Sequence, residues 1–479
     1  MARIAAANRS EAVGIVAGEG ADLIADLPVQ AVPSRIADAI PRLRTAERRQ
    51  VALRAVCLED LVPTDHRVRL VWQFVEGLDL SALYAAIKAV EGQPGHPPAD
   101  PRILLALWLY ATVEGVGSAR ALARLCETHI GYQWLCGGVG MNAKTLADFR
   151  VAHGAALEQL LVDSFTALLT IGTAKLDRVA QDGVRVRASA GAASFRRHST
   201  LEACRDDAEG HVQRLRAELE QDPGVASRRE AAARQRVAED RVRRVKEALA
   251  VTESLRAQRQ ERALQRAERE SRKAAVAQPN EAKPEKAKVE VEKEPRASTT
   301  DAEARVMKMA DGGFRPAYNV QFVSDTTSGA IAAVAVDNVG SDMGKLAPMN
   351  EALATYYGQR PGEHLADGGY TKLEDIKVLA EAGVTAYVPV ATPRDKTRDP
   401  HAAQPSDALA IAEWRKRMGT EQAKTIYRER AATAECANAQ ARNRGLRQFV
   451  VRGLDKVRVV ALWHALTHNM VCGWRLAAA

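Results

Sequence analysis

Residues 176–189 read LDRVAQDGVRVRAS and have the form of a short strand that delivers an aspartate, Asp182, at or near its end. EHLADGGYTKLED, residues 363–375, does the same with Asp367. IYRERAATAECANAQARNRGLRQF, residues 426–449, reads instead as a helix and carries Glu435. Mg²⁺ takes oxygen ligands and keeps several waters, so a few carboxylates suffice to hold it. Two strand-borne aspartates on neighbouring strands, closed by a glutamate from a packed helix, make an all-oxygen set for two such ions. The chemistry expected of that set is activation of water and stabilisation of a leaving oxygen at a phosphodiester.

The surroundings of the second and third acids supply the topology. AYNVQFVS (317–324), a turn at Asp325–Gly329 and AIAAVAVDNV (330–339) have period two and predict a β-hairpin. GKLAPMNEALATYY is helical and HLAD is a short strand. KLEDIKVLAEAG is a helix with a capping box from Thr371 to Glu374, VTAYVPV is a strand, and a long helix begins near Thr425. Strand, insertion, hairpin, helix, strand, helix, strand, helix is the order of an α/β RNase H-like domain. Its first strand would carry Asp182, its fourth Asp367 and its late helix Glu435.

Upstream, from Val68 to about Gly172, the pattern is helical. Pro101 stands at a first helical position, Ser118 is placed to cap SARALARLCETH, and KTLADFRVAHGAALEQLLVDSFTALL (144–169) is strongly periodic. These helices suit a helix-turn-helix that reads a groove and suit a plain bundle equally well. Residues 1–60 are Ala-rich and broken by prolines. Their cluster Arg42, Arg44, Arg48, Arg49 and Arg54 reads as phosphate-contacting or as a solvated helix face. Between Phe195 and Phe314 there is no aromatic residue, and the Ala/Glu/Arg-rich run from Ser227 to Lys273 favours long exposed helices, a helical hairpin or coiled coil. NEAKPEKAKVEVEKEP (280–295) has the composition of a disordered linker. The expected organisation is an N-terminal extension (1–60), an all-α DNA-binding domain (61–172), a catalytic domain in two pieces (173–198 and 300–479), and a charged helical insertion (199–299) after the first catalytic strand.

A chain of 479 residues is too long for one ordinary core, and its net charge of +8 favours an anionic partner without identifying one, since 60 acids stand among 68 bases. Its six cysteines form no C-x-x-C pair, so a zinc site or disulfide framework is not expected. No apolar run reaches the length of a membrane span, and a cytoplasmic location is expected. His464 and His468 have metal-compatible spacing but no third ligand nearby, which favours core or interface roles. No Walker loop, dinucleotide fingerprint or G-x-S-x-G elbow is present, so neither ATP nor acyl chemistry is implied.

Taken singly, Asp182-Gly183 and Asp367-Gly368-Gly369 read as turns and Glu435 as a surface charge; their order and flanks give them meaning together. PADPRILLALWLYATVEG, TLADFR, QDGVRVRAS, RPAYNVQFVSD, LADGGY, TAECANAQARNRGL and RGLDKVR are jointly specific. With them the chain resembles the DDE-type transposases of bacterial insertion sequences, in the branch with a helical N-terminal domain and a Tyr/Arg/Glu/Lys helix signature. The resemblance runs over nearly the whole chain from about Val68. It implies that Asp182, Asp367 and Glu435 bind two Mg²⁺ ions, or Mn²⁺ in their place. It further implies that Tyr427 and the arginines around Arg430 position DNA, with Arg442 where the signature has a basic residue. The implied partners are terminal inverted repeats and target DNA, met by a homodimer in the synaptic complex, nucleoid-associated when bound. The implied activity is Mg²⁺-dependent cleavage and strand transfer. A repair-type RNase H-like nuclease or recombinase and a non-catalytic DNA-binding scaffold stand as alternatives.

One departure from the signature concerns spacing. The usual arginine lies four residues before the glutamate, whereas Arg430 lies five before Glu435, which at about 100° per residue rotates it off that face. Arg428, Asn438 and Arg442 would share the face of Glu435 on a regular helix. Either the helix is irregular near Arg430 or Arg428 takes its place.

Overall fold

The computed structural model describes residues 55, 57–89, 97–221, 228–276, 294–393, 395 and 397–477. The basic cluster Arg42 to Arg54 and nearly all of the 1–60 extension lie outside these residues, as does most of the 280–295 linker.

Among the described residues seven α-helices precede the first strand: α1 (Arg67–Glu76), α2 (Ser81–Ala85), α3 (Pro101–Val113), α4 (Ala119–Thr128), α5 (Ile130–Cys136), α6 (Ala143–Ala152) and α7 (Gly154–Thr170). Asp100 accepts from Arg102 N at the start of α3, whose first residue is Pro101, and Ser118 accepts from Ala121 N at the start of α4. From Leu104 to Thr112 every residue of α3 is buried, which marks a helix enclosed on all sides by protein. The single periodic segment read over 144–169 is divided at His153 into α6 and α7. The cause is tertiary: a Cβ on Gly154 would stand 3.0 Å from Val459 Cγ2, so the C-terminal helix crosses at the break.

The sheet follows. Its strands are β1 (Arg178–Arg187), β4 (Arg305–Lys308), β5 (Phe314–Asp325), β6 (Ile331–Asp337), β7 (Glu363–Leu365) and β8 (Thr385–Tyr387). Strand β5 is antiparallel to β1 and β6, while β7 is parallel to both β1 and β8. The order β6-β5-β1-β7-β8 is that of an RNase H-like sheet, with β4 added beside the first residues of β5. The expected hairpin and both later strands are therefore present. The capping box is not: the residue before α11 (Leu373–Glu381) is Lys372, and Thr371 Oγ1 donates to Pro389 O instead.

Between β1 and β5 the chain leaves the sheet. Strand β2 (Phe195–Arg197) and strand β3 (Arg296–Ser298) pair to form a small root. From it rise α8 (His198–Gln221) and α9 (Arg228–Val276), about 36 and 74 Å long at the usual rise. They run antiparallel, because Arg216 meets Glu239, Glu209 meets Lys246 and His198 meets Thr252. Leu201, Ala208 and Val212 are buried on α8, and Ala238, Val245, Ala248 and Leu249 on α9.

The remaining helices are α10 (Leu346–Tyr357), α12 (Leu409–Met418), α13 (Glu421–Arg430), α14 (Cys436–Asn443) and α15 (Leu454–Ala477). Thr420 caps α13, five residues ahead of the expected start near Thr425, and α12 had no clear signal in the sequence. α15 packs on α3, α6 and α7 and also on β6. Trp463 of α15 donates to Arg150 O at 2.9 Å and lies against Trp108 and Phe149. Val184, Val320 and Phe322 of the sheet belong to the same continuous core. The change from helix to strand near 172 is thus crossed by one core, and Val56–Ala479 is one compact unit. His464 and His468 are buried in α15 among core residues, where burial pushes their pKa values down to about 3 and about 4. Among the described residues, no helix is long and apolar enough to cross a membrane.

Candidate active site

Asp182 lies on β1 on the same sheet face as Ala180 and Val184, since alternate residues share a face. The parallel pairing matches Ala180 to Leu365, so two residues further on Asp182 and Asp367 emerge side by side on that face. By then the second chain has left β7, and Asp367 Oδ1 accepts from Gly369 N at 2.8 Å to cap the short turn Gly368–Tyr370. Asp182 Oδ1 accepts from its neighbour Gly183 N at 2.9 Å, and Oδ2 accepts from Asn438 Nδ2 of α14 at 2.8 Å. Burial pushes the Asp182 carboxyl up, the charge of Arg430 pulls it down, and the charge of Asp367 pushes it up again. The two aspartates sense each other and the same arginine.

Glu435 reaches this group through an irregularity of the helix. Ala431–Glu435 is a π-turn between α13 and α14. In a π-turn the repeat lengthens to i→i+5, so residues five apart come into line. Arg430 Nη2 accordingly donates to Glu435 Oε1 at 2.9 Å. The spacing anomaly thus resolves in favour of the irregular helix. Arg428 is exposed, and its charge reaches Glu421 instead. The π-turn and α14 pack on β1 and β5, and Arg178 fastens the preceding helix by pairing with Glu429 at 2.6 Å and with Glu363.

Arg430 is the centre of the arrangement. Its side chain is 13% exposed, its guanidinium carbon lies 5.8 Å from the Tyr427 ring centroid, and it feels Asp182, Asp367 and Glu435 together. Burial opposes its charge, yet Tyr427 and the three carboxylates hold its pKa above the usual arginine value. Tyr427 is itself raised by burial, against the pull of Arg430. Of the sequence candidates, Asp182, Asp367, Tyr427, Arg430 and Asn438 are brought together, and Glu435, its side chain 57% exposed, joins them only through Arg430. Arg428 and Arg442 are exposed on the flanking helices, Arg442 one turn beyond Asn438.

Hard cations are the natural guests of such a donor set. The ligands on offer are carboxylate oxygens, and beside them the buried acceptor Asn438 Oδ1 has no hydrogen-bond partner. As arranged, however, no three acidic, histidine or cysteine side chains among the described residues stand close enough to hold one ion. Glu435 is drawn aside by Arg430, and its carboxylate must turn to join the aspartates.

Sequence reading passed over a second layer. On the opposite face of β1, Gln181 Nε2 donates to Gln321 Oε1 at 3.0 Å. Gln321 Nε2 and Asn319 Nδ2 donate to Asp342 Oδ1 at 2.8 and 2.6 Å. Tyr370 OH donates to Gln321 Oε1. The signal was present as Asn319 and Gln321 alternating in an otherwise apolar strand, which puts two amides on one buried face.

Comparison with known families gives two matches: residues 56–152 match a family described as Transposase domain (DUF772), and residues 393–472 match one described as Transposase DDE domain. Two segments of the chain thus match transposase domains, the second of the DDE type. No curated protein and no solved structure matches it. The first match covers α1 to α6, and the second covers Tyr427, Arg430, Glu435, Asn438 and Arg442. Asp182 and Asp367 lie outside both matches and enter through the sheet register.

Proposed function

We propose that the chain is a DDE-type transposase that cuts DNA at the terminal inverted repeats of its element and joins the ends to target DNA, with Asp182, Asp367 and Glu435 holding two Mg²⁺ ions. The observation that carries the reading is the position of Arg430, a half-buried cation among carboxylates from β1, the β7 turn and the π-turn. A site that already balances one positive charge against three acids suits stronger cations. Divalent ions there would lower the pKa of an attacking water, and later of a 3′-hydroxyl, and offset charge on the leaving oxygen. Mn²⁺ offers the same octahedral chemistry.

The residues of the chain have distinct parts in this scheme. Asn438 fixes the orientation of Asp182 by holding Oδ2. Glu435 turns from Arg430 toward the aspartates, which frees the guanidinium for a DNA phosphate, where its planar fork suits two oxygens. Exposed Arg428 and Arg442 extend the basic surface on either side, so binding weakens with salt in proportion to the phosphates they meet. We read α1 to α7 as the all-α, end-recognising domain and α8–α9 as a coiled-coil arm inserted after the first catalytic strand. Two protomers then pair two ends, in the cytoplasm and on the nucleoid when bound.

The test uses labelled DNA bearing the element ends, with and without Mg²⁺, and the wild type beside Glu435→Ala. The expected result is Mg²⁺-dependent nicking at the ends by the wild type and end binding without nicking by the variant. Equal nicking by both, or nicking in chelator, removes the proposed chemistry.

A further inference from the structure

The hydrogen-bonded layer behind the sheet takes part in nothing described so far, yet it touches both aspartate-bearing segments. Gln181 immediately precedes Asp182, and Tyr370 closes the turn that Asp367 caps. Both end on one atom, Gln321 Oε1 of β5, which accepts from Gln181 Nε2 and from Tyr370 OH. Gln321 Nε2 is occupied in turn by Asp342, which Asn319 also holds and which Arg185 meets at 3.4 Å. Gln181 Oε1 is hydrogen-bonded to His364 Nε2 of β7 at 3.1 Å. Gln181, Gln321, His364 and Tyr370 are all within 1% of complete burial. Amides and hydroxyls are not taken this deep into a sheet face without cost; Gln181, Gln321 and Tyr370 satisfy one another, while His364 Nδ1 and Asn319 Oδ1 have no partner.

The glycines beside the aspartates belong to the same construction. A Cβ on Gly183 would stand 2.5 Å from both Asp342 Oδ1 and Gln321 Nε2, and a Cβ on Gly369 would lie 3.8 Å from Asp342 Oδ2. Gly183 therefore lets Asp342 and Gln321 approach the backbone directly behind Asp182, whereas at Gly369 the close neighbour of a Cβ is Asp367 Oδ1 at 2.9 Å.

We propose that Gln321 is a positioning residue for the metal carboxylates, a buried strut that fixes the separation of Asp182 and Asp367 by tying Gln181 to Tyr370. The inference rests on the metal-binding reading of those acids. Octahedral Mg²⁺ tolerates little error in ligand position, so loss of the strut is read in metal affinity. Partners that orient ligating groups typically change metal affinity by roughly 10- to 100-fold when removed.

Tyr370→Phe is the sparing test, because it deletes one hydroxyl from a buried ring. Mn²⁺ affinity of the full chain is read by electron paramagnetic resonance, beside thermal melting, end binding and Mg²⁺-dependent cleavage. The expected result is Mn²⁺ binding weaker by roughly tenfold or more, with melting and end binding close to wild type. Gln321→Leu weakens it at least as much, and the double variant is no worse than Gln321→Leu alone, because both changes cut one link. Unchanged Mn²⁺ affinity in Tyr370→Phe, or additive losses in the double variant, overturns the proposal. Asp182→Ala separates the two ideas: if it binds Mn²⁺ like the wild type, the metal site itself is wrong. If it loses binding while Tyr370→Phe keeps it, only the strut is wrong.

Discussion

Asp182→Asn abolishes end cleavage while leaving a folded protein that melts at or above the wild-type temperature in metal-free buffer. The activity loss follows from removing a ligand charge that would be worth several kcal/mol at the transition state, roughly a thousandfold or more in rate. The stability follows from what surrounds the carboxylate. Burial and the Asp367 charge raise its pKa above the unfolded value, so its ionised form is a burden on the native state at neutral pH. Asparagine keeps the shape and the bond from Gly183 N. Asn438 can turn its amide so that Oδ1, which has no partner in the structure, accepts from the new Nδ2. Loss of attraction to Arg430 offsets part of the gain. The sign is checked by pH: below about 3.9, the ordinary aspartate value, the two proteins carry the same charge and melt alike. The advantage of the variant grows as pH rises through the raised native value. Calorimetric melts in chelator and nicking of labelled ends measure both halves. Cleavage within tenfold of wild type contradicts the role assigned to Asp182.

Gly183→Ala disables the protein more thoroughly, through packing and not through charge. The new methyl would lie 2.5 Å from Asp342 Oδ1 and Gln321 Nε2 and 3.0 Å from Asn319 Oδ1. Gln321 and Asn319 are each 1% exposed, so neither has room to withdraw. Overpacking of this kind costs about 1–3 kcal/mol, and separating Gln321 from Asp342 adds about 1 kcal/mol. The expected outcome is a stability loss of about 3 kcal/mol in urea titration, with cleavage lost as well because Asp182 moves with its neighbour. Gly191→Ala is the control: that glycine has φ −87° and open space where its Cβ would stand, so the variant behaves as wild type. Equal stability of the two variants contradicts the close approach behind β1.

These expectations depend on features that the sequence revealed unevenly. β5 and β6 were legible from β-branched and aromatic residues on either side of the Asp325–Gly329 turn, although β5 is buried on both faces from Pro316 on. α3 was legible from Pro101 at its first position, and the structure adds Asp100 as its cap. The break at His153 was not, because both halves keep one helical period and only the approach of Val459 to Gly154 separates them. Strands β2, β3 and β4, three or four residues long, were not read from the sequence. At the site, Asp182, Asp367 and Glu435 could be picked out by flanking residues. The π-turn was visible only as Arg430 lying one residue too far from Glu435. The strut behind the sheet draws Gln181, Gln321, Asp342 and Tyr370 from four separate segments, so no spacing along the chain could announce it.

Convergence of the three acids on shared ions is tested most directly by letting the ion mark its own ligands. Fe²⁺ bound in place of Mg²⁺, with ascorbate and peroxide, generates radicals that cut the polypeptide nearest the metal, and mass spectrometry maps the cuts. Cuts beside Asp182, Asp367 and Glu435 together, suppressed by excess Mg²⁺ and absent from Asp182→Ala, are the result the account predicts. Cuts near only one of the three, or a pattern that Asp182→Ala leaves unchanged, would contradict it.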